Sequence, residues 1–248
     1  MKPLGRKAYG SIPHLPKSRL GPGDHYIHPG QQTILTEKAR DKHDRIIVTE
    51  KLDGSCVSVA RQDGQIVAIA RSGYLAQTSP YAHLQHFAVW VRENESRFDA
   101  LEEGERLCGE WVSMAHGTIY KPMGVPFVPF DLMAQEKRFP HDQMTEVAKR
   151  CDLLPAAVIS DGPPLSVESA INAIANGGFH GALDEVEGCV WRCERRGEFD
   201  FIAKFVRHEK QDGKYFEQIS GQPPIWFWRP SARESNSSLG EGKERMTR

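Results

Sequence analysis

The chain has 248 residues and a mass of 27.9 kDa, with 39% hydrophobic and 26% charged residues. These fractions are ordinary for a soluble globular protein, and a chain of this length buries roughly 70% of its unfolded surface without disulfide or metal support. Its apolar runs are no longer than six residues, whereas a membrane helix needs ~20, and the polar N-terminus lacks the apolar stretch of a signal peptide. We therefore expect a cytoplasmic protein with no membrane partner.

The formal net charge is only −1, but basic residues concentrate at the N-terminal end. Residues 1–51 contain ten Lys and Arg against five Asp and Glu, a net charge of +5, which leaves −6 for the remaining 197 residues. Such a local excess can form a phosphate-binding surface, although a solvated basic end also accounts for it. Five cysteines are scattered, and the C-x3-C spacing of Cys189 and Cys193 is poor for zinc, so we expect reduced, structural thiols.

The N-terminal part of the chain predicts an irregular extension followed by strands. The first thirty residues hold five Gly and five Pro, which is typical of turn-rich chain, and we predict that residues 1–40 form a basic, Gly/Pro-rich extension wrapped on the main domain. Apolar and polar residues then alternate in three runs from Asp44 to Tyr74, which predicts strands. Asp63-Gly64 separates two of these runs and predicts a tight hairpin.

The rest of the chain alternates between helical and strand patterns. A helix is predicted after Pro80, where Leu84, Phe87, Ala88 and Val91 recur at helical spacing, and the acidic run over residues 93–105 is predicted to be a solvated helix end and loop. Further helices are predicted at 143–150 and at 166–176, the second capped by Ser166. Strands are predicted in "RLCGEWV", "PFVPFDLM", "EGCVWRC" and "FDFIAKFVR" and near residues 153–159.

Together these elements predict an α+β fold in which antiparallel strands dominate, with one domain over residues 41–218. The segment 219–248 is predicted to be a C-terminal tail. From about residue 229 it is poor in apolar residues, and we expect it to be disordered there.

Charged residues inside these strands predict a functional cleft. Lys51 and Asp53 form a K-x-D-G motif at a strand end, which alone is weak because an ordinary surface turn also explains it. Polar side chains in apolar strands are costly unless they are used. Four such residues occur on separate predicted strands: Glu110, Asp131, Glu187 and Lys204. Arg71 and Ser72 end the hairpin strand opposite Lys51. We interpret them as the lining of one cleft.

The order of these motifs resembles a known family. "EKLDGS", "RSG", "GEW", "FVPFDL", "EGCVW" and "AKFVR" match in order the nucleotidyltransferase motifs of the superfamily of RNA ligases, DNA ligases and mRNA-capping enzymes. They are most similar to the nick-sealing RNA ligase branch, over about Arg45 to Arg207. The resemblance implies a ligase-type nucleotidyltransferase domain of twisted, mainly antiparallel sheets with flanking helices around an ATP cleft.

The resemblance also implies the chemistry. The amine of Lys51 would attack the α-phosphate of ATP to give lysyl-AMP, AMP would pass to a 5′-phosphate end of RNA, and a 3′-hydroxyl would then displace AMP. Lys204 would hold the α-phosphate, and Glu187 would bind the catalytic Mg²⁺ or Mn²⁺, while Asp53 belongs to the motif with a turn-forming or catalytic role. Because the attacking amine must be neutral, we expect Lys204, the metal and burial to lower the pKa of Lys51.

The remaining assignments concern binding. By resemblance, Glu110 would accept a hydrogen bond from a ribose hydroxyl, Phe130 would stack on adenine, and Glu50 would read the adenine amino edge. Arg71 would grip the 5′-phosphate end of the nucleic acid, where a planar and permanently charged group fits, and Ser72 would assist it.

The last motif departs from the family pattern. This branch usually has K-x-K, but Val206 stands where a second lysine is expected after Lys204. Arg207, assigned here to nucleic-acid binding, could substitute only if the strand bulges or ends, because alternation points it to the other face. Lys210 and Lys214 are further candidates.

Alternatives remain open at the level of function. Only about 40 residues follow Lys204, too few for the β-barrel domain that DNA ligases and capping enzymes carry, which favours an RNA ligase over a minimal ATP-dependent DNA ligase. A non-catalytic ligase-like nucleotide- or RNA-binding protein is a further alternative. We predict no obligate protein partner, and we expect Trp226 and Trp228 to pack on the core, with base stacking as the other possibility.

Overall fold

The computed structural model describes residues 2–174 and 177–231. Its helices are α1 (Pro29–Thr36), α2 (Ala82–Glu93), α3 (His141–Arg150), α4 (Val167–Ile174) and α5 (Glu217–Ser220). Its strands are β1 (Asp44–Lys51), β2 (Ser55–Gln62), β3 (Gln65–Ala70), β4 (Glu105–Trp111), β5 (Phe127–Ala134), β6 (Lys137–Arg138), β7 (Val158–Gly162), β8 (Gly188–Arg195) and β9 (Glu198–Val206). Within the described residues, no helix is long and apolar enough to cross a membrane.

The strands form two sheets in which neighbouring strands run antiparallel. Sheet A has the order β7-β1-β8-β9, and sheet B has the order β3-β2-β4-β5-β6. β1 ends at Lys51 in sheet A and β2 begins at Ser55 in sheet B, so a short link carries the chain from one sheet to the other. The predicted α+β class with mainly antiparallel strands is confirmed.

The β2–β3 hairpin forms where the sequence predicts it. The pairing runs from Val57 opposite Ala70 to Gln62 opposite Gln65, which leaves Asp63 and Gly64 as the turn. Their φ angles are 53° and 74°, as a two-residue type I′ turn requires, and Asn, Asp and Gly reach these angles most easily. The local Asp-Gly signal is therefore enough to set the register of this hairpin.

Each sheet buries one face under helices. On sheet B, Trp111 packs against Phe87 and Trp90 of α2, with ring centroids 5.2 and 5.6 Å apart, and Met144 of α3 joins the same core. The indole Nε1 of Trp111 also donates to the His83 carbonyl at 2.8 Å. Full burial of one large apolar side chain stabilises the fold by about 1.5–3 kcal/mol, so this aromatic cluster fixes α2 on sheet B.

The outer face of sheet A has its own core. Cys189, Trp191 and Cys193 are fully buried on one face of β8, as the alternation predicts, and they pack with residues of α1 and α4 such as Leu35 and Ile174. Because helices cover the outer faces, the opposite faces of the two sheets are left to form the walls of a cleft.

The N-terminal segment packs against both sheets. Ala8 N donates to Arg71 O beside sheet B at 3.0 Å, and Leu15 N donates to Lys204 O in sheet A at 2.8 Å. The segment is less irregular than its composition predicts, because Pro29 begins helix α1, whose N-terminus is capped by the His28 side chain. The domain division at residues 40 and 218 stays a prediction.

Three predicted elements differ in detail. The strand predicted near residues 153–159 begins only at Val158, since Pro155 has no amide proton for a sheet ladder. The acidic stretch after α2 is not only solvated loop, because a 3-10 helix over Glu95–Ala100 buries Phe98. Ser166 caps α4 through a bond from Ser169 N at 3.1 Å; the predicted helix end at residues 175–176, and the tail at residues 232–248 where disorder is predicted, lie outside the described residues.

Candidate functional site

A cleft of about 1290 Å³ lies between the inner faces of the two sheets. β1, β8 and β9 of sheet A and β2, β4 and β5 of sheet B contribute to its lining. The lining includes these residues singled out from sequence: Glu50, Lys51, Asp53, Arg71, Ser72, Glu110, Phe130, Glu187 and Lys204. Of the five charged residues on separate predicted strands, Lys51, Glu110, Glu187 and Lys204 therefore converge, whereas Asp131 does not; Arg207, assigned to nucleic-acid binding, also lies outside the cleft.

Lys51 and Glu187 form an ion pair at the centre of the cleft. The β1–β8 register pairs Lys51 with Gly188, which brings Glu187, the residue before β8, beside Lys51. The Nζ of Lys51 donates to Glu187 Oε2 at 2.6 Å. The register of two adjacent strands thus sets this contact.

The ion pair changes the expected charge of the nucleophile candidate. Burial acts to lower the pKa of Lys51, but the carboxylates of Glu187, Glu110 and Asp53 outweigh it and raise that pKa above its usual value. The protein groups alone therefore do not produce the lowered pKa of Lys51 that the sequence predicts, and the contribution expected from a metal ion stays a prediction. Lys51 is an ammonium ion here and would have to lose its proton before acting as a nucleophile.

The carboxylates of the cleft are partly neutralised by burial. Glu110 accepts a hydrogen bond from Gly54 N at 3.2 Å, and its pKa is raised to about 8, chiefly by burial, with Glu187 and Asp53 adding to the effect and Lys51 opposing it. Burial also raises the pKa of Glu187, against the lowering influence of Lys51. Two buried carboxyl groups with raised pKa values beside a buried lysine in a cleft are typical of a functional site.

Lys204 has the opposite shift from Lys51. Burial and the positive charge of Lys51 lower the pKa of Lys204, while Asp24 acts to raise it. Asp24 Oδ1 lies 4.0 Å from Lys204 Nζ, and Asp24 Oδ2 lies 3.0 Å from Nε2 of the buried His14. Sequence reasoning missed His14 and Asp24, because a contact between segments this far apart leaves no local signal.

Asp53 is not in a surface turn. Its side chain is largely buried, its backbone N donates to the Tyr120 hydroxyl at 2.9 Å, and its Oδ2 accepts from Gly117 N at 2.7 Å. A Cβ at Gly54 would lie 2.6 Å from Trp111 O, so the glycine is required by close approach to β4. The K-x-D-G motif is therefore a packed crossing between the sheets, and the surface-turn interpretation is wrong.

Glu50 and Phe130 contribute to the lining of the cleft from sheet A and sheet B, respectively. Glu50 is 1% exposed; its Oε2 accepts from Phe179 N at 2.7 Å, whereas its Oε1 has no hydrogen-bond partner among the described residues. Burial raises the pKa of this carboxyl. The ring of Phe130 meets that of Tyr9 edge to face, with centroids 5.2 Å apart. The β1–β8 register pairs Glu50 with Cys189, so the Glu50 carboxyl lies on the outer, helix-covered face of sheet A, and its assignment to the adenine amino edge stays a prediction.

Arg71 and Ser72 are exposed at the mouth of the cleft. The guanidinium of Arg71 donates to Ser11 Oγ of the N-terminal segment at 3.1 Å. Arg207 is not part of this arrangement: its guanidinium lies 3.4 Å from Glu185, and it lines a separate, smaller depression. The structure therefore separates Arg207 from the other two residues assigned to nucleic-acid binding.

Asp131 is the second residue that does not join the cleft. It is fully buried and accepts hydrogen bonds from Arg138 at 2.6 Å, Arg192 at 3.1 Å and the Tyr9 hydroxyl at 3.1 Å. Its charge is satisfied by two arginines, so its place in an apolar strand is explained by a structural ion network. The interpretation of Asp131 as a cleft residue is wrong.

The two C-terminal tryptophans differ in their surroundings. Trp228 packs against Trp111 of the sheet B core, with ring centroids 5.4 Å apart, as expected. Trp226 lines the cleft, with the Arg229 guanidinium 4.7 Å from its ring centroid and the His86 ring at the same separation. The C-terminal segment thus supplies part of one cleft wall.

The acidic groups of the cleft could hold a divalent cation only with help from a ligand. Among the described residues, no group of three or more His, Cys, Asp or Glu side chains is arranged to bind a metal. Mg²⁺ is usually held by one or two carboxylates together with substrate phosphates and water. Glu187, with Glu110 nearby, fits that mode of binding and does not fit an all-protein metal cage.

Comparison with known proteins identifies the family. The RNA ligase family model matches residues 44–206, about two thirds of the 248 residues. A comparison with curated proteins finds no match. Among solved structures, a mutant apo form of an RNA ligase from Naegleria gruberi is 19% identical, with a TM-score of 0.51, over 77% of this chain and 56% of that one.

Two further solved structures match the chain at lower similarity. A mutant of the same Naegleria gruberi ligase with ATP and Mn is 19% identical, with a TM-score of 0.48, over 71% of this chain and 53% of that one. An archaeal ATP-dependent RNA ligase is 18% identical, with a TM-score of 0.42, over 66% and 43% of the two chains. The present chain spans little more than half of the Naegleria ligase. On the match to the family model, the chain belongs to the RNA ligase family.

Proposed function

We propose that this protein is an ATP-dependent RNA ligase that joins 3′-hydroxyl and 5′-phosphate ends through lysyl-AMP and an adenylylated 5′ end. One observation carries the proposal: Lys51 ends its strand inside the cleft, 2.6 Å from Glu187 and within the electrostatic influence of Lys204. A lysine nucleophile, a carboxylate for a metal and a second lysine are the groups that attack at a phosphate requires.

In the first step, the neutral amine of Lys51 attacks the α-phosphorus of ATP, the P–N bond forms, and the bond to pyrophosphate breaks. Lys51 is an ammonium ion beside Glu187 in the free protein, so the pair must separate first. A bound Mg²⁺ or Mn²⁺ would supply positive charge at Glu187 and on the phosphates. With Glu187 engaged elsewhere, burial and Lys204 would favour the neutral form of Lys51.

The other cleft residues would bind the adenylate. Lys204 lies on β9, which pairs with β8. Its ammonium would stabilise the negative charge that develops on the α-phosphate in the transition state. Glu110 offers a carboxyl oxygen to a ribose hydroxyl, and Phe130 offers an aromatic face or edge to adenine. Asp53 would hold the loop that follows Lys51.

The cleft mouth would receive the RNA. Arg71 and Ser72 are exposed there, and a guanidinium is suited to bidentate contact with a terminal phosphate. After AMP passes to that phosphate through a new phosphoanhydride bond, Lys51 is released, and the 3′-hydroxyl attacks the activated phosphorus to expel AMP.

The test is covalent labelling. The purified protein is incubated with α-labelled ATP and Mg²⁺ or Mn²⁺, and the protein is separated under denaturing conditions. Wild type should carry the label and Lys51→Ala should not, whereas Lys149→Ala, which alters an exposed lysine of α3, should label normally. A labelled Lys51→Ala protein would contradict the assignment of the nucleophile.

The nature of the nucleic acid requires a second measurement. Sealing rates are compared on nicked duplex RNA, nicked DNA and hybrids with a 5′-phosphate at the nick. Preferred sealing of an RNA strand supports the proposal, preferred sealing of DNA supports a minimal DNA ligase, and a wild type that takes no label supports a non-catalytic binding protein.

A further inference from the structure

Lys210 is a buried lysine behind the wall of the cleft. Its Nζ lies 2.8 Å from Asp53 Oδ2 and donates to the Thr118 hydroxyl. The residue is 5% exposed and does not line the cleft. A buried ammonium ion is costly unless it is paired and hydrogen-bonded, so these contacts are what stabilise Lys210 in this position.

Three separate segments meet at this ion pair. Asp53 follows the nucleophile candidate Lys51 by two residues, Gly117 lies in the loop after β4, and Lys210 follows β9. Gly117 N donates to the same Asp53 oxygen that Lys210 contacts, at 2.7 Å. The loop after Lys51 is thus held from both sides.

Gly117 leaves the space in which the pair forms. A Cβ at this position would lie 2.9 Å from Asp53 Oδ2, 2.9 Å from Lys210 Cε and 2.5 Å from Gln211 O. Any larger residue would push Lys210 and Asp53 apart. The Asp53–Lys210 ion pair can therefore form only because residue 117 has no side chain.

The sequence makes Lys210 more than an ordinary structural lysine. Val206 occupies the strand position where the last motif lacks its second lysine, and the two other candidates for that role, Arg207 and Lys214, are paired elsewhere. Arg207 contacts Glu185 outside the cleft, and the half-exposed Lys214 lies 3.7 Å from Asp184. Lys210 is the one that reaches the K-x-D-G motif.

We propose that Lys210 is a positioning residue for the adenylylation step: its ammonium fixes the Asp53 carboxylate, and through the loop of residues 52–54 it sets where the Lys51 amine points. The inference rests on the proposed ligase function. Because Lys210 lies outside the cleft lining, it acts on the geometry of attack and not on the binding of ATP.

The test compares single-turnover adenylylation by the full chain at varied ATP concentration. Lys210→Met should slow the maximal rate roughly 10- to 100-fold, the cost of a misplacement of about 1 Å at a reacting atom, while the half-saturating ATP concentration changes by less than about threefold. Lys214→Met is the matched control and should behave as wild type. The double variant Asp53→Asn/Lys210→Met should be no slower than Asp53→Asn alone, since the two residues act as one unit.

Other outcomes overturn the inference. A normal maximal rate in Lys210→Met, additive losses in the double variant, or a loss confined to ATP affinity would each contradict it. If Lys210→Met does not fold, Gly117→Ala, which keeps both charges and separates them, must show the same loss of maximal rate with unchanged ATP affinity. A wild type that takes no label would instead refute the proposed ligase function and not this assignment.

Discussion

Lys51 and Glu187, 136 residues apart in the chain, meet at 2.6 Å because the β1–β8 register ends with Lys51 opposite Gly188, the residue after Glu187. The two residues have different roles in the first step of the proposed reaction: Lys51 is the nucleophile, and Glu187 is the metal ligand. In the free protein they neutralise each other. The same contact therefore contributes to stability when ATP is absent and has to be broken for chemistry.

The ion pair predicts the effect of removing Glu187. Sequence alone, which shows crowded carboxylates, predicts that the melting temperature of Glu187→Ala holds or rises. The structure reverses this, because the variant leaves Lys51 without its nearest partner. With side-chain exposures of 21% and 11% for the two residues, the loss is about 1–3 kcal/mol, and Tm should fall by roughly 3–10 °C.

The same variant tests the chemistry. Adenylylation by Glu187→Ala should fall by ~100-fold or more, as expected for loss of one electrostatic stabiliser of the transition state. Thermal unfolding of the free protein and label incorporation below its Tm separate the two effects. A variant with near-normal adenylylation would remove Glu187 from the catalytic group, whatever its stability.

Arg71 is predicted to serve the nucleic acid and not ATP. The Arg71 side chain is exposed at the cleft mouth, and the N-terminal segment is held by its backbone carbonyl, which accepts hydrogen bonds from Ala8 N and Tyr9 N. Because an alanine keeps that carbonyl, Arg71→Ala should fold normally. Loss of a charged hydrogen bond to phosphate costs about 1.5–3 kcal/mol, so sealing of a nicked RNA should slow roughly 10- to 100-fold, with much less effect on adenylylation. Arg92→Ala, an exposed arginine on α2, is the matched control. Equal losses in both steps would place Arg71 at the ATP site.

Local patterns predicted most of the scaffold, and long-range contacts account for what they missed. The Asp63-Gly64 turn, the helix after Pro80 and the alternation in β8 are each decided by neighbours within a few residues, and all three are found. The parallel bridge between His14 and Lys204 joins two segments that are far apart in the chain, and no local sequence pattern in either segment predicts their contact. Its consequence, Asp24 beside Lys204, could not be predicted.

Charge in an apolar strand proved to be an ambiguous signal. Glu187 and Asp131 look alike in sequence, since each is an acidic residue in an apolar stretch. Glu187 faces the cleft, whereas Asp131 faces Arg138 and Arg192, and the two cases differ only in where arginines from other strands arrive. Whether a buried carboxylate is paired with an arginine from a distant strand depends on the tertiary structure. The sequence could therefore predict the cleft but not which of these charged residues line it.

His83 predicts a pH dependence of stability. This histidine faces His116 and Tyr81, with ring centroids 5.5 and 5.8 Å away, and burial, with His116 and His86, lowers its pKa to about 4. An unfolded histidine has a pKa of ~6.5, so the unfolded state binds more protons below neutrality. As the pH is lowered from about 7.5 to about 5, protonation of His83 in the unfolded state should therefore reduce the free energy of unfolding by about 1–2 kcal/mol.

Urea unfolding across this pH range checks the prediction. His83→Gln should have a shallower decline than wild type, and the difference between the two proteins should be constant above about pH 7.5, where histidine is neutral in both states. Parallel curves throughout the range would show that His83 does not carry this linkage.

The structure divides the basic N-terminal segment into two ends. Lys7 lines the cleft, and Lys17 closely follows Leu15, whose N donates to Lys204 O at the end of sheet A that carries Lys51. Arg40 and Lys42 precede the opposite end of β1, which at ~3.3 Å per residue is roughly 25 Å from Lys51, and Arg40 is already paired with Asp44 and Asp200. A phosphate track leading to the nucleophile should therefore involve Lys7 and Lys17 and not Arg40 or Lys42.

This division gives a salt-dependence prediction with a control from the same segment. Each phosphate neutralised on single-stranded RNA contributes ~0.7 to the slope of log affinity against log salt. Lys7→Gln/Lys17→Gln should flatten the slope of RNA binding by up to ~1.4, while adenylylation stays nearly intact, and Lys42→Gln should leave the slope of wild type. The slopes come from RNA affinity measured at several salt concentrations. If Lys42→Gln flattens the slope as much as the double variant does, the segment acts through its overall charge, and no track leads to the cleft.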